Sequence, residues 1–347
     1  MNDNALKFGI VGAGGIAQTY GVAFTECQDA QLVAVADVRS EAALALAEAA
    51  GCAHFPSHEA MANAVALDAV VICTPPATHD DAAVYFLERG VHVLCEKPFS
   101  IDVDRAKRMI DTARRTRMRL TMASKFRFVE DVIRARGIVA SGILGEIVLF
   151  ENAFTTRVDM SSRWNSNPTV SGGGVLIDNG THAVDLMRYF LGPLAEVQVI
   201  EGKRIQRLLV EDTVRLFARS VSGILASSDL SWSIDKELDS YLMIYGSRGT
   251  VSVGWQESKY RQSSSREWIG FGKGYDKVQA FRRQLENFCR AIRGEDKLVV
   301  TPDDALASVE VVAAAYNALR RSQWVAVNQR RDTVQEDTLS VPLLAAL

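Results

Sequence analysis

The first 125 residues alternate short apolar runs with stretches in which apolar residues recur at helical spacing. Continuous apolar runs bounded by turn residues are typical of strands that are buried on both faces of a parallel sheet. Five such runs occupy residues 6–12, 31–37, 68–74, 91–98 and 119–125. Strands that alternate with helices predict a doubly wound, mostly parallel α/β sheet, whose ligands bind beyond the carboxyl ends of the strands.

The second half has a different pattern, because its strand-like runs follow one another directly and alternate apolar with polar positions. These runs cover residues 145–156, 195–204, 212–220, 224–233, 240–246 and 250–255. Directly successive strands predict antiparallel pairing in a separate domain that begins near residue 126. The polar segment 258–275 is predicted as a loop, and two closing helices are expected at about 275–293 and 303–321.

A chain of 347 residues is long enough for two domains that each bury a core. We predict domains at residues 1–125 and 126–327, followed by a tail at 328–347 whose final LSVPLLAAL is apolar enough to dock on the protein.

Two local patterns add detail to the first domain. Residues 40–50 are rich in strong helix formers, and Ser40 is predicted to cap that helix. His54 and His58 stand four residues apart, but no third ligand is evident, so we predict a polar loop after a short strand instead of a metal site.

Composition narrows the classes of partner. Hydrophobic residues make up 48% of the chain and charged residues 23%, which is typical of soluble globular proteins. Thirty-nine basic and 42 acidic residues give a net charge of -3, so the chain has no broad field that would attract nucleic acid or an anionic membrane. We therefore expect a small-molecule partner, with neither nucleic acid nor membrane.

The cysteines and the N-terminus indicate the compartment. Five cysteines, an odd number without C-x-x-C spacing, fit reduced thiols, and the first residues show no signal-peptide pattern. No apolar run reaches the 18 or so residues that a membrane span needs. The expected location is the cytoplasm.

The turn after the first apolar run reads GAGGIA and predicts a dinucleotide site. Gly12 allows a tight turn, Gly14 lets the backbone approach a pyrophosphate, and Ala17 takes the place of the third glycine against the helix. Amide groups around Gly15 and Ile16, at the start of that helix, would bind the phosphates. A glycine-rich turn alone fits any tight strand-to-helix connection equally well.

The second apolar run makes the dinucleotide interpretation more specific, because it ends at Asp37. An acidic residue there accepts the ribose hydroxyls of NAD and repels the additional phosphate of NADP. Arg39 could instead cover the adenine or meet a 2′-phosphate. The sequence therefore favours NAD and keeps NADP as the alternative.

Residues 172–192, GGGVLIDNGTHAVDLMRYFLG, carry the clearest candidate chemistry. Three glycines run into a predicted helix on which Asp178, His182 and Asp185 share one face. The arrangement is compatible with acid–base, metal-binding or structural roles. We expect no metal, since further convergent ligands are not evident.

Four motifs in order, GAGGIA, TPPATH, GVHVLCEKPFS and GGGVLIDNGTHAVDL, together with the pair Arg163-Trp164, resemble the glucose-fructose oxidoreductase, inositol dehydrogenase and rhizopine-catabolism (Gfo/Idh/MocA) family. The resemblance runs from residue 6 to about 327. It implies a Rossmann domain followed by an α/β domain for substrate binding and oligomerisation, with an open, mainly antiparallel sheet. Members of this family commonly form dimers or tetramers through that sheet.

The resemblance also implies catalytic roles. Lys97, in the EKP element, would hydrogen-bond the substrate oxygen and stabilise the developing alkoxide. His182 is predicted as the base, with Asp178 orienting the imidazole or the substrate hydroxyl. Asp185 is predicted to be structural. The division of proton transfer between Lys97 and His182 stays open.

Further residues are assigned to the cofactor by their places at or just past strand ends or by similarity to the family. They are Thr74, Pro75, His79, Glu96, Lys97 and Trp164. Trp164 could cover the nicotinamide or a sugar face. Pro76 stands where the family usually has asparagine, so one side-chain contact to the cofactor is expected to be missing.

Three basic residues are candidates for substrate binding beside Lys97, Asp178 and His182. Lys125, Arg127 and Arg163 would together suit a phosphorylated, carboxylated or nucleotide-linked sugar, although Arg127 could alternatively brace the junction between the domains.

The sequence therefore predicts an NAD(P)-dependent oxidoreductase that transfers a hydride between nicotinamide and a secondary hydroxyl or ketone of a sugar, polyol or sugar derivative. Two alternatives use the same fold: a glycoside hydrolase or lyase that uses NAD transiently, and a dinucleotide sensor without turnover.

Overall fold

The structure is a computed structural model and describes residues 4–327, so the predicted tail at 328–347 lies outside the described residues. Its first sheet contains only parallel pairs, in the order β3-β2-β1-β4-β5-β6. The strands are β1 (Leu6–Val11), β2 (Ala30–Ala36), β3 (Ala53–Phe55), β4 (Ala69–Ile72), β5 (His92–Glu96) and β6 (Leu120–Ala123). The predicted doubly wound parallel sheet is confirmed.

Five helices connect these strands: α1 (Gly15–Thr25), α2 (Ser40–Ala50), α3 (His58–Ala64), α4 (His79–Leu87) and α5 (Val103–Thr116). Two local predictions were wrong. Ser40 is the first residue of α2 and not its cap, because the cap position is taken by Arg39, whose side chain makes no capping bond. His54 lies in β3, and His58 begins α3 behind a Ser57 cap, so the predicted polar loop is a strand and a helix.

Within residues 4–327, the second sheet has nine strands in the order β14-β13-β12-β11-β7-β10-β9-β8-β15. They are β7 (Ile147–Thr155), β8 (Leu194–Glu201), β9 (Thr213–Ser220), β10 (Leu225–Ser231), β11 (Ser240–Gly246), β12 (Gly249–Gly254), β13 (Ser258–Gln262), β14 (Ile269–Gly272) and β15 (Val325–Ala326). Among the described strands of this sheet, only β7 and β10 pair in parallel, and every other pair is antiparallel. The predicted mainly antiparallel sheet is confirmed.

The predicted loop at 258–275 was wrong, because most of it forms the β13–β14 hairpin at the edge of the second sheet. Tyr260 and Phe271 pack against the core from this hairpin. Lys259 and Arg261 instead lie over the Trp268 ring on the outside. An edge hairpin buries few side chains, so its sequence is polar enough to look like a loop.

Five further helices complete the fold: α6 (Glu130–Ala140), α7 (Pro168–Ser171), α8 (Val175–Leu191), α9 (Lys277–Arg293) and α10 (Pro302–Arg321). Helix α8 packs on β7, β9 and β10 of the second sheet. Helix α9 packs instead on α1, where Phe281 meets Tyr20 with ring centroids 4.5 Å apart. No helix among residues 4–327 is long and apolar enough to cross a membrane.

Candidate functional site

A groove of about 630 Å³ lies over the glycine turn at the carboxyl ends of β1, β2 and β4. We call it the glycine groove, and its walls include Gly12, Gly14, Gly15, Asp37, Arg39, Thr74, Pro75 and Trp164. Gly12 has φ +92°, and a Cβ there would lie 2.8 Å from the backbone of Cys73 and Thr74, so only glycine fits. Nothing lies within 4 Å of a Cβ built on Gly14 or Gly15, which leaves the start of α1 open to a phosphate group. These residues fit a dinucleotide.

Asp37 presents an ionised carboxylate to this groove. Burial alone would raise its pKa, but hydrogen bonds from the amides of Arg39, at 2.8 Å, and Ala13, at 2.7 Å, bring the pKa below its usual value. The Arg39 side chain is two-thirds exposed and reaches Asp37 only at 3.4 Å. An ionised carboxylate, with Arg39 as its partner, therefore lies in the wall of the glycine groove.

A second cavity of about 370 Å³ adjoins the groove and shares Cys73, Thr74 and Trp164 with it. We call it the inner pocket. Its acidic, basic and imidazole wall residues are Glu96, Lys97, Lys125, Asp178 and His182, and its aromatic wall residues are Phe126, Phe154, Trp164 and Trp255. The remaining polar wall residues are Thr155, Thr156, Asn165 and Asn179, and Ile16 lines the side toward the turn.

Lys97 and Asp178 form an ion pair across the inner pocket. The Lys97 Nζ atom donates to Asp178 Oδ1 at 2.6 Å and to the Asp178 carbonyl at 3.4 Å. Lys97 follows β5 of the first sheet, and Asp178 lies in the first turn of α8, which packs on the second sheet. The contact therefore links the two halves of the protein at the pocket. The pair holds the ammonium group in place while both side chains remain partly accessible.

Helix α8 can begin at Val175 because Gly174, which precedes it, lets the Glu211 backbone approach closely. A Cβ on Gly174 would lie 2.1 Å from the Glu211 carbonyl oxygen. The Glu211 carboxylate accepts hydrogen bonds from the amides of Gly174 and Leu176 at 3.0 and 3.1 Å. A carboxylate at a helix N-terminus is favourable, so Glu211, which the sequence analysis missed, fixes the position of Asp178.

His182 lies one turn after Asp178 and is 7% exposed. Its ring meets Phe126 and Phe154 edge-on, at 5.1 and 6.2 Å between centroids. Burial, followed by the charges of Lys97 and Lys125, holds its pKa well below the usual value, so the imidazole is neutral near pH 7. Asp178 was expected to orient the imidazole or the substrate hydroxyl, and in the structure its carboxylate binds Lys97.

A buried polar network forms the floor of the inner pocket around Glu96. Its carboxylate accepts from Tyr20 Oη at 3.1 Å and from the Lys97 amide at 3.0 Å, and Gln284 donates to Tyr20 Oη at 2.7 Å. Burial and then the Lys97 charge lower the pKa of Lys125 to about 8, although Glu96 opposes the shift. Tyr20 and Gln284 were missed because 264 residues separate them.

Three predicted site residues do not line either cavity. Arg127 is buried and donates to Asp185 Oδ1 at 2.7 Å and Oδ2 at 3.0 Å, which favours the alternative that it braces the junction between the domains. Arg163 is exposed and directly precedes Trp164 and Asn165 of the inner pocket, and its substrate contact stays a prediction. His79 is fully buried with its ring nitrogens 3.0 and 2.8 Å from backbone carbonyls, and its place beside the cofactor stays a prediction.

The structure also bears on Asp185 and on the metal-binding alternative. Asp185 is buried against Arg127 and the Ser124 hydroxyl, away from the inner pocket. Within residues 4–327, no three His, Cys, Asp or Glu side chains are grouped so as to hold a metal ion.

Comparisons with known proteins match the two halves of the chain separately. The profile described as "Oxidoreductase family, NAD-binding Rossmann fold" of Gfo/Idh/MocA proteins matches residues 6–124, and the profile of the GFO/IDH/MocA C-terminal domain matches residues 132–252. The chain is 28% identical to inositol 2-dehydrogenase of Rhizobium meliloti over 93% of this chain and 99% of that protein. It is 36% identical to D-glucoside 3-dehydrogenase of Escherichia coli over 55% of this chain and 56% of that protein.

A solved structure shows the same fold. Levoglucosan dehydrogenase in complex with NADH and levoglucosan superposes with a TM-score of 0.87 at 19% identity, covering 94% of this chain and 100% of that one. The four motifs, the two matched profiles and the fold agree. The chain therefore belongs to the Gfo/Idh/MocA oxidoreductase family, with its NAD-binding Rossmann fold.

Proposed function

We propose that the protein is an NAD(P)-dependent oxidoreductase that transfers a hydride between nicotinamide and a secondary hydroxyl or ketone of a sugar, polyol or sugar derivative. The observation that carries this proposal is the joining of two cavities. The inner pocket brings Lys97, Asp178 and His182 together and opens into the glycine groove through shared walls. When bound, the dinucleotide supplies the hydride acceptor or donor.

The protein's own residues handle the proton and the oxygen. His182 is neutral and is placed in the pocket wall, so it can accept the proton of a substrate hydroxyl. Lys97 is placed to donate a hydrogen bond to the same oxygen, which stabilises the negative charge that develops there. Asp178 holds the Lys97 ammonium through their 2.6 Å contact. In ketone reduction the same groups act in reverse.

The relatives support this substrate class. By their names, they act on inositol and on D-glucosides, which both present secondary hydroxyls on a six-membered ring. The ionised Asp37 supports NAD over NADP, since a 2′-phosphate would meet its charge. Arg39 is close enough for NADP to be kept as the alternative.

The proposal predicts that reduced nicotinamide forms when the protein meets the right sugar or polyol. Absorbance at the reduced nicotinamide band is followed with both cofactors against sugars, polyols, sugar phosphates and nucleotide sugars. Lys97→Met should lower kcat about 10²–10³-fold, the range seen when one donor to a developing oxyanion is removed. Lys203→Met, at an exposed loop position, is the matched control.

Other outcomes of this assay identify the alternatives. Cleavage of a glycoside without net reduced nicotinamide would indicate the NAD-using hydrolase or lyase. Dinucleotide binding without turnover of any substrate would indicate a sensor. Either result contradicts a net oxidation or reduction of the substrate, and an unchanged kcat in Lys97→Met contradicts the proposed role of Lys97.

We also infer that the protein forms a homodimer or homotetramer through its second sheet. Strand alternation turns Leu149, Phe217 and Met243 to the face opposite α8, where all three stay partly exposed. Sedimentation velocity should show a species larger than the 38.0 kDa chain. A species of that mass alone at micromolar concentration contradicts the assembly.

The cytoplasm is the proposed location. All five cysteines are free, which suits a reducing compartment. Assay of the activity in soluble and exported fractions of the source cells tests it, and activity confined to the exported fraction would contradict it.

A further inference from the structure

We propose that a cavity beside the inner pocket is a subsite for a second ring of the substrate, so that the protein prefers an uncharged glycoside or disaccharide to a free or phosphorylated monosaccharide. The inference rests on the proposed function, because it places the ring that reacts in the inner pocket. It adds a binding site that none of the predicted site residues occupies.

The cavity, which we call the outer pocket, has a volume of about 400 Å³. Three of its wall residues, Thr155, Thr156 and Trp255, also line the inner pocket, so the two cavities share one wall. Each volume falls within the roughly 300–1,000 Å³ of small-molecule sites. Together they offer space for two adjacent rings.

Trp255 gives the shared wall a rigid aromatic surface. Its side chain is 40% exposed, yet the ring packs on Tyr241 and Tyr275 with centroids 4.6 and 5.7 Å away. Its amide also donates to the Asp239 carbonyl at 3.0 Å. An accessible indole on a fixed base suits the apolar face of a sugar or aryl ring, and its N–H remains a donor for a hydroxyl.

Among the described residues, the inner pocket offers an anionic substrate no arginine and only one lysine, Lys125, outside an ion pair. Its other lysine is Lys97, and its carboxyl groups are Asp178 and Glu96, of which burial raises the pKa of Glu96. The Lys97 ammonium is already engaged by Asp178. Phosphate sites usually offer surplus arginine or lysine, and the two arginines predicted for this role do not line the inner pocket.

The outer pocket is acidic and so disfavours a negatively charged second group. Asp235 and Glu237 line it, and neither is in an ion pair within residues 4–327. The lysine between them, Lys236, points to Asp229, with its Nζ 2.7 Å from that carboxylate. Repulsion between like charges lowers the affinity of the outer pocket for a negatively charged ligand, so these two carboxylates select against anionic ligands.

The test compares substrates that share the reacting ring. The monosaccharide with the highest kcat/KM is measured beside its phenyl glycoside, its 4-carboxyphenyl glycoside and its 6-phosphate. We expect kcat/KM of the phenyl glycoside to exceed that of the free sugar about tenfold, as an added aromatic contact of one to two kcal/mol would give. The carboxyphenyl glycoside should fall at least about threefold below the phenyl glycoside.

Two variants with the same change of charge locate the effect. Glu237→Lys should raise kcat/KM of the carboxyphenyl glycoside at least about threefold, and the gain should shrink at high salt, while the free sugar is unaffected. Glu257→Lys is the control, because Glu257 is exposed, pairs with Lys259 and lines neither pocket. Equal kcat/KM for the free sugar and the phenyl glycoside, or equal responses of the two variants, overturns the subsite.

Equilibrium dialysis of the same glycosides against the NADH-loaded protein separates this inference from the proposed function. If no sugar is oxidised but Glu237→Lys alone strengthens binding of the carboxyphenyl glycoside, the subsite stands and the hydride transfer fails. If sugars are oxidised but Glu237→Lys has no separate effect on either measurement, the hydride transfer stands and the subsite fails.

Discussion

Replacement of His182 by glutamine should lower kcat for sugar oxidation about 10²–10⁴-fold, the usual contribution of a positioned general base. The imidazole is buried between Phe126 and Phe154 and is kept neutral, so it is ready to take a proton. Glutamine keeps a polar side chain in the pocket but cannot take a proton near neutral pH. Steady-state kinetics of the purified variant measures the change, with exposed His54→Gln as the matched control.

The pH profile of the wild-type protein gives an independent measurement of the same role. A pKa held below its usual value keeps His182 unprotonated to lower pH, so kcat/KM should stay on its plateau down to about pH 6.5 and fall only below it. Lys125→Met removes one of the charges that lower this pKa, and the acid limb should then move to higher pH. The assignment of His182 as the base is contradicted if His182→Gln keeps the full kcat. It is also contradicted if the acid limb of the pH profile is unchanged in His182→Gln.

Arg127→Met should lower the free energy of unfolding by about 3–5 kcal/mol, because it leaves the buried Asp185 carboxylate without its partner. Chemical denaturation of the purified variant measures this loss. Arg134→Met is the control, since its exposed ion pair with Glu130 should contribute less than about 1 kcal/mol. At temperatures where the variant stays folded, KM for the sugar should not change.

A second substitution tests the cause of that instability. Removal of both charges in Arg127→Met with Asp185→Leu should recover part of the lost stability, because no buried charge is then left unpaired. A large rise in KM of Arg127→Met without loss of stability would instead indicate that Arg127 contacts the substrate.

The sequence predicts the central strands well because their signal is local. Strands β1, β2, β4, β5 and β6 are apolar runs with turn residues at their ends. Strand β3 lies at the sheet edge with its residues largely exposed, and the hairpin from β13 to β14 is another edge element. Edge strands need no continuous apolar run, so their residues alone do not reveal them.

The candidate site divides in the same way. Gly12, Asp37 and Lys97 could be identified because each stands at the end of an apolar run, where a parallel sheet binds ligands. Glu211, which binds the start of α8, and Trp255, which lines the inner pocket, could not, since each lies in a connecting segment of the second domain whose position depends on the whole fold. The sequence could not decide between a substrate contact and a bracing role for Arg127, because it shows the charge but not the buried partner.

The packing of α9 on α1 has a consequence for how the chain is made. Phe281, Leu285 and Phe288 fill the same buried cluster as Phe8 and Tyr20, although α9 is synthesised long after β6, the last strand of the first sheet. A nascent chain that has emerged only as far as β6 therefore exposes an apolar surface on that sheet. The dinucleotide-binding half completes its core only when the ribosome has released most of the protein.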